Sequence, residues 1–235
     1  MHNKVDWEQV KQIVIKAVKT LVIKVKEFFR GMRTNIANVI KIATTAFKSS
    51  NFDKYKDSDA KIKCSKLLYC MITTNDTFAN GVKSIIMDYD NIKNKTVYSK
   101  TDLLEKLYGK YPDSGFVAAS QMFSFIESFP QVLRWLDILE GVTLKKIINP
   151  NAFLTWIDKN EYLIIDQNAD YGEGRKLTTE EMKKINEHIS TAYKVTVKNM
   201  NAAYALVFRA MKEAVSYMEN MVKKDSGEPV ETVKA

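Results

Sequence analysis

The sequence contains few of the residues that interrupt or cross-link a polypeptide. Of its 235 residues only four are proline, eight are glycine and two are cysteine. The prolines and glycines fall between periodic segments, which favours long uninterrupted helices. Cys64 and Cys70 are too few for a disulfide framework, and a spacing of six residues places them on different faces of a helix. We interpret both as buried thiols of a protein in a reducing compartment.

Long apolar runs are also absent from the sequence. Lys or Glu interrupts every apolar stretch near the start, so a signal peptide is not expected. No run is long enough to predict a transmembrane helix. We therefore expect a cytoplasmic or other intracellular location. The frequent Asn, Ile, Lys and Tyr residues are typical of AT-rich coding, which makes a viral or phage particle one context for the protein.

Residue types that perform catalysis or bind metals are sparse and scattered. The histidines are His2 and His188, and Ile185 stands where a di-iron helical bundle needs a glutamate. The cysteines and histidines form no recognised zinc-ligand spacing. The sequence also lacks a phosphate-binding glycine loop and the glycine-flanked serine of hydrolases. We therefore predict a non-enzymatic protein with no catalytic residue, metal, cofactor or small-molecule substrate.

One polar segment has the beginning of a calcium-binding pattern. Asp166, Asn168 and Asp170 supply oxygen ligands at alternate positions. The sharp turn of such a loop needs a glycine where Tyr171 stands, and Leu177 occupies the position of the bidentate glutamate. We interpret the segment as the tip of a small β-hairpin over residues 161–177, with calcium binding as the alternative.

Positive charge is concentrated at the amino terminus. Residues 1–50 contain ten Lys or Arg and three acids, which accounts for +7 of the net charge of +8. From Asp6 to Arg30 the apolar residues fill one broad arc of a helical wheel, and basic residues fill most of the other side. Gly31 predicts a break before a second helix that reaches Phe47. Residues 5–48 therefore form a basic helical arm.

Several functions fit this arm. Trp7, Phe28 and Phe29, faced by lysines, suit docking on an anionic membrane surface. The lysines would also neutralise the phosphates of nucleic acid or pair with an acidic partner. Alternatively, the apolar arc packs on the protein's own core and leaves a solvated basic side. The candidate residues for membrane or nucleic-acid contact are Lys16, Lys19, Lys26, Arg30 and Arg33.

The middle of the chain, residues 59–159, is predicted to form a series of short helices. Asp59 predicts a helix that includes Cys64, and Asn75 or Asp76 opens the next. A helix from Thr101 closes at Gly109. The aromatic segment 116–129 precedes a helix that begins near Ser128 and ends at Gly141, and we expect these two to form the centre of the core.

The longest periodic segment is the last one, residues 178–224. Apolar residues recur there with a mean spacing of about 3.55, and Thr178 with Glu181 forms a capping-box pattern. Such a helix would extend roughly 65–70 Å. Its apolar side either packs within the chain or joins copies of the protein, and residues 225–235 form a disordered tail. The candidate oligomer-interface residues are Met200, Val207, Met211, Met218 and Met221.

Together these patterns predict a mainly α protein. We expect a multi-helix bundle with long amino- and carboxy-terminal helices, one small β-hairpin near 161–177, and a single helical domain over 1–224. The predicted function is a structural or assembly protein within a homo-oligomer or larger complex, with viral or phage particles as a candidate context. The alternatives are a peripheral membrane-surface binder and a helical nucleic-acid binder, both acting through residues 1–50.

Overall fold

The computed structural model describes residues 7–49, 52–74, 76–88, 90–91, 94–146 and 179–227. Within these ranges the chain is mainly α, with seven helices and one small antiparallel sheet, so the predicted fold class is confirmed. A short 3₁₀ helix, Phe52–Tyr55, follows the first helix. The helices are α1 (Trp7–Ser49), α2 (Lys66–Thr73), α3 (Thr77–Met87), α4 (Lys100–Tyr108), α5 (Ala119–Glu127), α6 (Phe129–Lys146) and α7 (Thr179–Asp225), and the strands are β1 (Lys61–Ser65) and β2 (Ser114–Ala118).

The chain divides into two compact units, and each is described by itself. The single helical domain expected over 1–224 stays a prediction. Three other predictions lie outside what the structure describes: the capping pair at Thr178 and Glu181, the hairpin over 161–177, and most of the predicted tail. Unit 1 comprises Met1–Phe29, Ile85–Val97 and Ile138–Asn199, and unit 2 comprises Arg30–Ser84, Tyr98–Asp137 and Met200–Ala235.

Helix α1 continues through Gly31, so the predicted break there is wrong. Phe29 and Met32 on either side of the glycine are both buried, and this continuous apolar stripe holds the helix together. Gly31 is exposed, and a Cβ added to it would meet no atom within 4 Å. A glycine in a helix costs only about 1 kcal/mol relative to alanine, which packing on both sides offsets.

Residues 61–65 form strand β1, which corrects the prediction of a helix from Asp59. Ile62 and Cys64 point into unit 2 while Lys61 and Lys63 are exposed, so burial follows the two-residue period of a strand. The partner strand β2 lies about 50 positions away, and local periodicity does not reveal such a pairing. The antiparallel register pairs Lys61 with Ala118, Ile62 with Val117, Lys63 with Phe116, Cys64 with Gly115 and Ser65 with Ser114.

Helix α2 begins directly after β1. Ser65 has extended backbone angles, and its hydroxyl accepts a hydrogen bond from the Leu68 N–H, which makes it the N-cap. The ring of Tyr69 on α2 lies against Gly115 of β2, where an added Cβ would overlap the ring. Glycine at this position therefore lets the helix pack closely on the sheet.

The aromatic segment and the helix after it supply much of the core of unit 2, as predicted. Met122, Phe123 and Ile126 of α5 are buried, and so are Phe129 and Leu136 of α6. The prediction that α6 ends at Gly141 is wrong, because the helix continues to Lys146. As at Gly31, nothing lies within 4 Å of a Cβ placed on Gly141.

Both cysteines are free and buried, as the sequence predicted. Cys64 faces inward from β1 and Cys70 lies on α2. Burial raises the pKa of the Cys64 thiol to about 11, and the Glu213 carboxylate adds to the effect. This thiol is therefore protonated and poorly nucleophilic at neutral pH.

Helix α7 is 47 residues long and confirms the predicted long carboxy-terminal helix. Between Met200 and Met218 its buried positions cover most of the circumference, including Leu206, Ala210 and Ala214. Among the described residues, no helix is both long and apolar enough to span a membrane.

Candidate functional site

The exposed side of α1 carries a compact group of basic residues, which we call the α1 basic face: Lys16, Lys19, Lys26 and Arg30 around Ile23. Lys19 precedes Ile23 by four residues and Lys26 follows it by three, so both are its neighbours on the helix surface. Lys16 and Arg30 lie two turns away on the same side. All five side chains are exposed, and Ile23 is 60% exposed. The helix itself fixes their spacing.

The α1 basic face is solvated because the opposite stripe of the helix is buried. Leu21, Val25 and Phe29 recur every four residues and are all buried. Apolar positions at this spacing define one side of a helix and leave the other side to solvent. Folding therefore orients the basic residues outward.

Arg33 belongs to a different environment from the four basic residues of this face. Its Nη2 lies 2.7 Å from Oδ1 of Asp137, and its Nε donates to the same oxygen at 2.8 Å. The Arg33 side chain is 31% exposed and is held by α6 of unit 2. Its prediction as a contact residue loses support, because its charge already has a partner within the protein.

The predicted membrane contact through aromatic residues is corrected for Phe29. Its side chain is 1% exposed, and Phe28 is half-buried with its ring edge-on to Phe29 at 5.7 Å. A ring that packs in the interior is not available to enter a lipid headgroup layer. The Trp7 side chain lies outside the described part of the structure.

Most candidate oligomer-interface residues are buried within the chain. Met200, Val207, Met211 and Met218 are buried, and Met221 is half-buried. The same apolar periodicity that suits an interface also suits a core, and here the side chains are covered by the protein itself. An interface through the four buried residues would require the fold to open, and the self-assembly surface stays a prediction.

A second site lies in unit 2, where β1, α2 and α7 supply a polar cluster around a cavity of about 420 Å³, here called the Ser65 cavity. Ser65 Oγ donates to Oε2 of Glu213 at 2.6 Å, and Arg209 Nε donates to Oε1 of the same carboxylate at 2.6 Å. Glu213 is buried and therefore needs these donors. The cavity is lined by Lys63, Cys64, Ser65, Lys66, Leu67, Leu104, Asp113, Ser114, Arg209 and Tyr217.

Lys66 places a largely buried cation at this cavity. Its Nζ lies 3.6 Å from carboxylate oxygens of both Glu105 and Asp113, and its side chain is 13% exposed. The two carboxylates are well exposed, so their attraction for the ammonium group is screened by solvent. Lys63 brings further positive charge to the lining, whereas the charge of Arg209 is paired with Glu213.

The Ser65 hydroxyl at this cavity already has hydrogen-bond partners. It accepts from Leu68 N–H and donates to Glu213. Among the described residues no group of three His, Cys, Asp or Glu side chains could hold a metal ion.

The cavity is missing from the sequence predictions because its parts are distant in the chain. Ser65 and Glu213 are 148 residues apart, and only folding brings them together. The i, i+4 spacing of Arg209 and Glu213 was the one local signal, since residues so spaced are neighbours on a helix. The calcium alternative at 166–177 and the side chains of His2 and His188 lie outside the described residues.

Comparison with known proteins adds no relative from which a function could be carried over. No protein-family model matches the sequence, and no curated protein or solved structure is significantly similar to it.

Proposed function

We propose that this protein is a non-enzymatic component of an assembly and that it docks onto nucleic acid through the α1 basic face. The observation that carries the proposal is the exposed group of Lys16, Lys19, Lys26 and Arg30 on one helix. Within the described part of the chain, no ion pair involves any of these four side chains. Their charge therefore remains available to an external anion.

One acid lies among these cations, because Glu27 follows Ile23 by four residues and precedes Arg30 by three. The helix contains nine Lys or Arg and two acids, Glu8 and Glu27. Glu27 is exposed, and its charge acts on Tyr193, whose pKa is raised first by burial and then by this carboxylate. A surface dominated by one sign of charge attracts polyanions over a distance of about 10 Å in dilute salt.

The spacing of the four cations suits the phosphates of a nucleic-acid backbone. Lys16 and Arg30 are 14 positions apart, about 21 Å along a helix. A duplex of that length presents roughly a dozen phosphates, so all four cations could be neutralised by one molecule. Four such contacts predict a slope of about −3.6 when the logarithm of affinity is plotted against that of salt concentration.

Nucleic acid fits the α1 basic face better than a lipid surface does. Stable membrane docking needs apolar side chains that enter the headgroup layer as well as cations. Phe29 is buried, so among the described side chains Ile23 is the one large exposed apolar residue amid these four cations. Phosphate contacts need only the charges.

The test replaces Lys16, Lys19, Lys26 and Arg30 together with glutamine. We expect affinity for duplex DNA at low salt to fall at least tenfold and the salt slope to shrink by about 3 to 4. The matched control removes four charges from other exposed positions by glutamine substitution of Lys83, Lys100, Lys110 and Lys224. The control should keep most of the salt slope.

Two outcomes would overturn the proposal. One is a quadruple variant that keeps the affinity and the salt slope of the unmodified protein. The other is an unmodified protein that sediments with vesicles of anionic lipid but does not bind DNA, which would favour the membrane alternative. Self-assembly stays a separate proposal, and light scattering of the purified protein at low and high salt would test it.

A further inference from the structure

We propose that the outer face of the β1–β2 sheet, together with the Ser65 cavity, binds single-stranded nucleic acid: one base stacks on Phe116, and the adjoining sugar-phosphate occupies the cavity. This site is separate from the α1 basic face and does not depend on it. The preference for a single strand follows from three features: an exposed aromatic ring, the positive charge beside it and the cavity at the end of the same face.

Phe116 is an aromatic residue presented to solvent on a rigid support. It is 62% exposed, the largest exposed fraction among the large apolar side chains that the structure describes. Its neighbours in β2 point inward, because Val117 is fully buried and Gly115 lies against the ring of Tyr69. No aromatic or cation contact within the described residues involves the Phe116 ring. The ring therefore offers its surface to an external planar group.

Positive charge lies beside this ring, on the neighbouring strand β1. Lys63 is the direct cross-strand partner of Phe116, and Lys61 lies two residues before Lys63 on the same face. Both lysines are exposed. The two strands contain no acidic residue. An exposed aromatic ring beside cations is the combination that binds a base and its phosphates.

The Ser65 cavity lies at the end of this face. Ser65 and Ser114 pair in the next same-face position of the ladder, about 7 Å along the strands from Lys63 and Phe116. Lys63 also lines the cavity, so it links the two parts of the site. The lining contains Lys63, Lys66 and Arg209. Arg209 is paired with Glu213, and Lys66 lies near Glu105 and Asp113, so Lys63 is the lining cation for which the described residues show no ion pair.

The acids near the cavity offset two of its cations, Arg209 and Lys66, so Lys63 supplies the remaining attraction for a phosphate. Glu213 is held by Ser65 and by Nε of Arg209, so its charge is already compensated within the protein. Asp113 is fully exposed and lies near Lys66. Hydroxyl, ammonium and guanidinium groups are the donors that bind sugar hydroxyls and phosphate oxygens.

A single strand fits this site better than a duplex does. A base can stack on a protein ring only when it has left its own helical stack, as it does in single strands.

The experiment measures the binding of a fluorescent oligothymidine of roughly ten nucleotides by anisotropy. Phe116→Ala should weaken binding about five- to hundredfold, because the stacked base loses its ring. Phe116→Tyr should bind as the unmodified protein does. Ile42→Ala is the matched control, since Ile42 is a similarly exposed apolar residue (58%) on α1, and it should have no effect.

Further binding measurements distinguish the contribution of base stacking from that of charge. An abasic strand of the same length should bind the unmodified protein and the Phe116→Ala variant equally. Lys61→Gln combined with Lys63→Gln should reduce the salt slope by about 1.4, the value for two phosphate contacts on a single strand. When Phe116→Ala is added to the glutamine variant of the α1 basic face, it should weaken oligothymidine binding by the same factor, even if duplex binding is lost.

The proposal is overturned if Phe116→Ala binds oligothymidine like the unmodified protein, or if the unmodified protein does not bind it. It is also overturned if the Phe116→Ala effect persists on the abasic strand, since the ring would then act without a base. Phe116 is exposed, so its replacement should leave the unfolding midpoint unchanged, and circular dichroism checks this.

Discussion

Helices α1 and α7 are nearly equal in length, 43 and 47 residues, yet they use their surfaces differently. Helix α1 buries a narrow stripe with one residue per turn, such as Val25 and Phe29, and keeps its charges in solvent. Helix α7 buries most of its circumference between Met200 and Met218, including the charged Glu213. Two helices of similar length can therefore differ in how much surface they leave to solvent, because the width of the apolar stripe sets how much of each helix is buried.

The largest expected change in stability follows from replacing a core residue of α7, and it is compared with replacing an exposed residue of α1. Met211 is fully buried, so Met211→Ala should lower the free energy of unfolding by about 2–5 kcal/mol through lost contacts and a cavity. Ile23→Ala should change it by less than about 0.5 kcal/mol. Urea denaturation followed by circular dichroism measures both. Equal effects would contradict the contrast between the two helices.

A smaller change in stability is expected when one charge is removed from each helix. Glu213→Gln should destabilise the protein by about 1–3 kcal/mol, because the buried group loses charge-assisted hydrogen bonds from Ser65 and Arg209. Lys19→Gln on the α1 basic face should stay within about 0.5 kcal/mol of the unmodified protein. Denaturation midpoints measure both effects. An unchanged midpoint for Glu213→Gln would show that the charged hydrogen bonds of Glu213 do not contribute to stability.

A glycine substitution tests another difference between the two helices, since α1 contains a glycine and α7 contains none. Gly31→Ala should stabilise the protein by about 0.5–1 kcal/mol, because helix propensity improves and a Cβ meets no atom. The control is Gly115→Ala, which should destabilise it through a clash with Tyr69. Thermal melts of the two variants should therefore shift in opposite directions. A lower melting temperature for Gly31→Ala would indicate that α1 bends or opens at Gly31.

The smallest expected effect concerns the carboxy-terminal end of α7. Hydrogen bonds from Lys54 and then Tyr55 lower the pKa of Asp225, and Lys54 Nζ lies 2.8 Å from its Oδ2. A depressed folded-state pKa adds stability above the unfolded value, near pH 4, and this stability is lost as pH falls through the folded pKa.

Asp225→Asn should therefore be slightly less stable than the unmodified protein at pH 7. The difference should shrink as the pH is lowered below about 4, where the unmodified carboxyl also becomes neutral. Urea midpoints across this range test the sign. A difference that is constant with pH would mean that the Asp225 charge does not contribute.

The candidate sites differ in how far the sequence predicts them. Lys16, Lys19, Lys26 and Arg30 were predicted to share one side of a helix, because their spacing is a local property. The same reasoning failed for Phe29, since an apolar arc is identical whether it faces lipid or the protein's own core. It also leaves Met211 and Met218 undecided between a core position and an interface position, because both have the same periodicity.

Local sequence determined the helical character of this protein, the uninterrupted length of α7 and the positive side of α1. These properties depend on residue spacing, on the scarcity of proline and on charge, all of which act within a few turns. Tertiary structure alone decided that residues 61–65 form a strand with 114–118, that Ser65 meets Glu213, and that Phe116 faces solvent. Those outcomes depend on pairings between distant residues, because only packing decides which surfaces are covered.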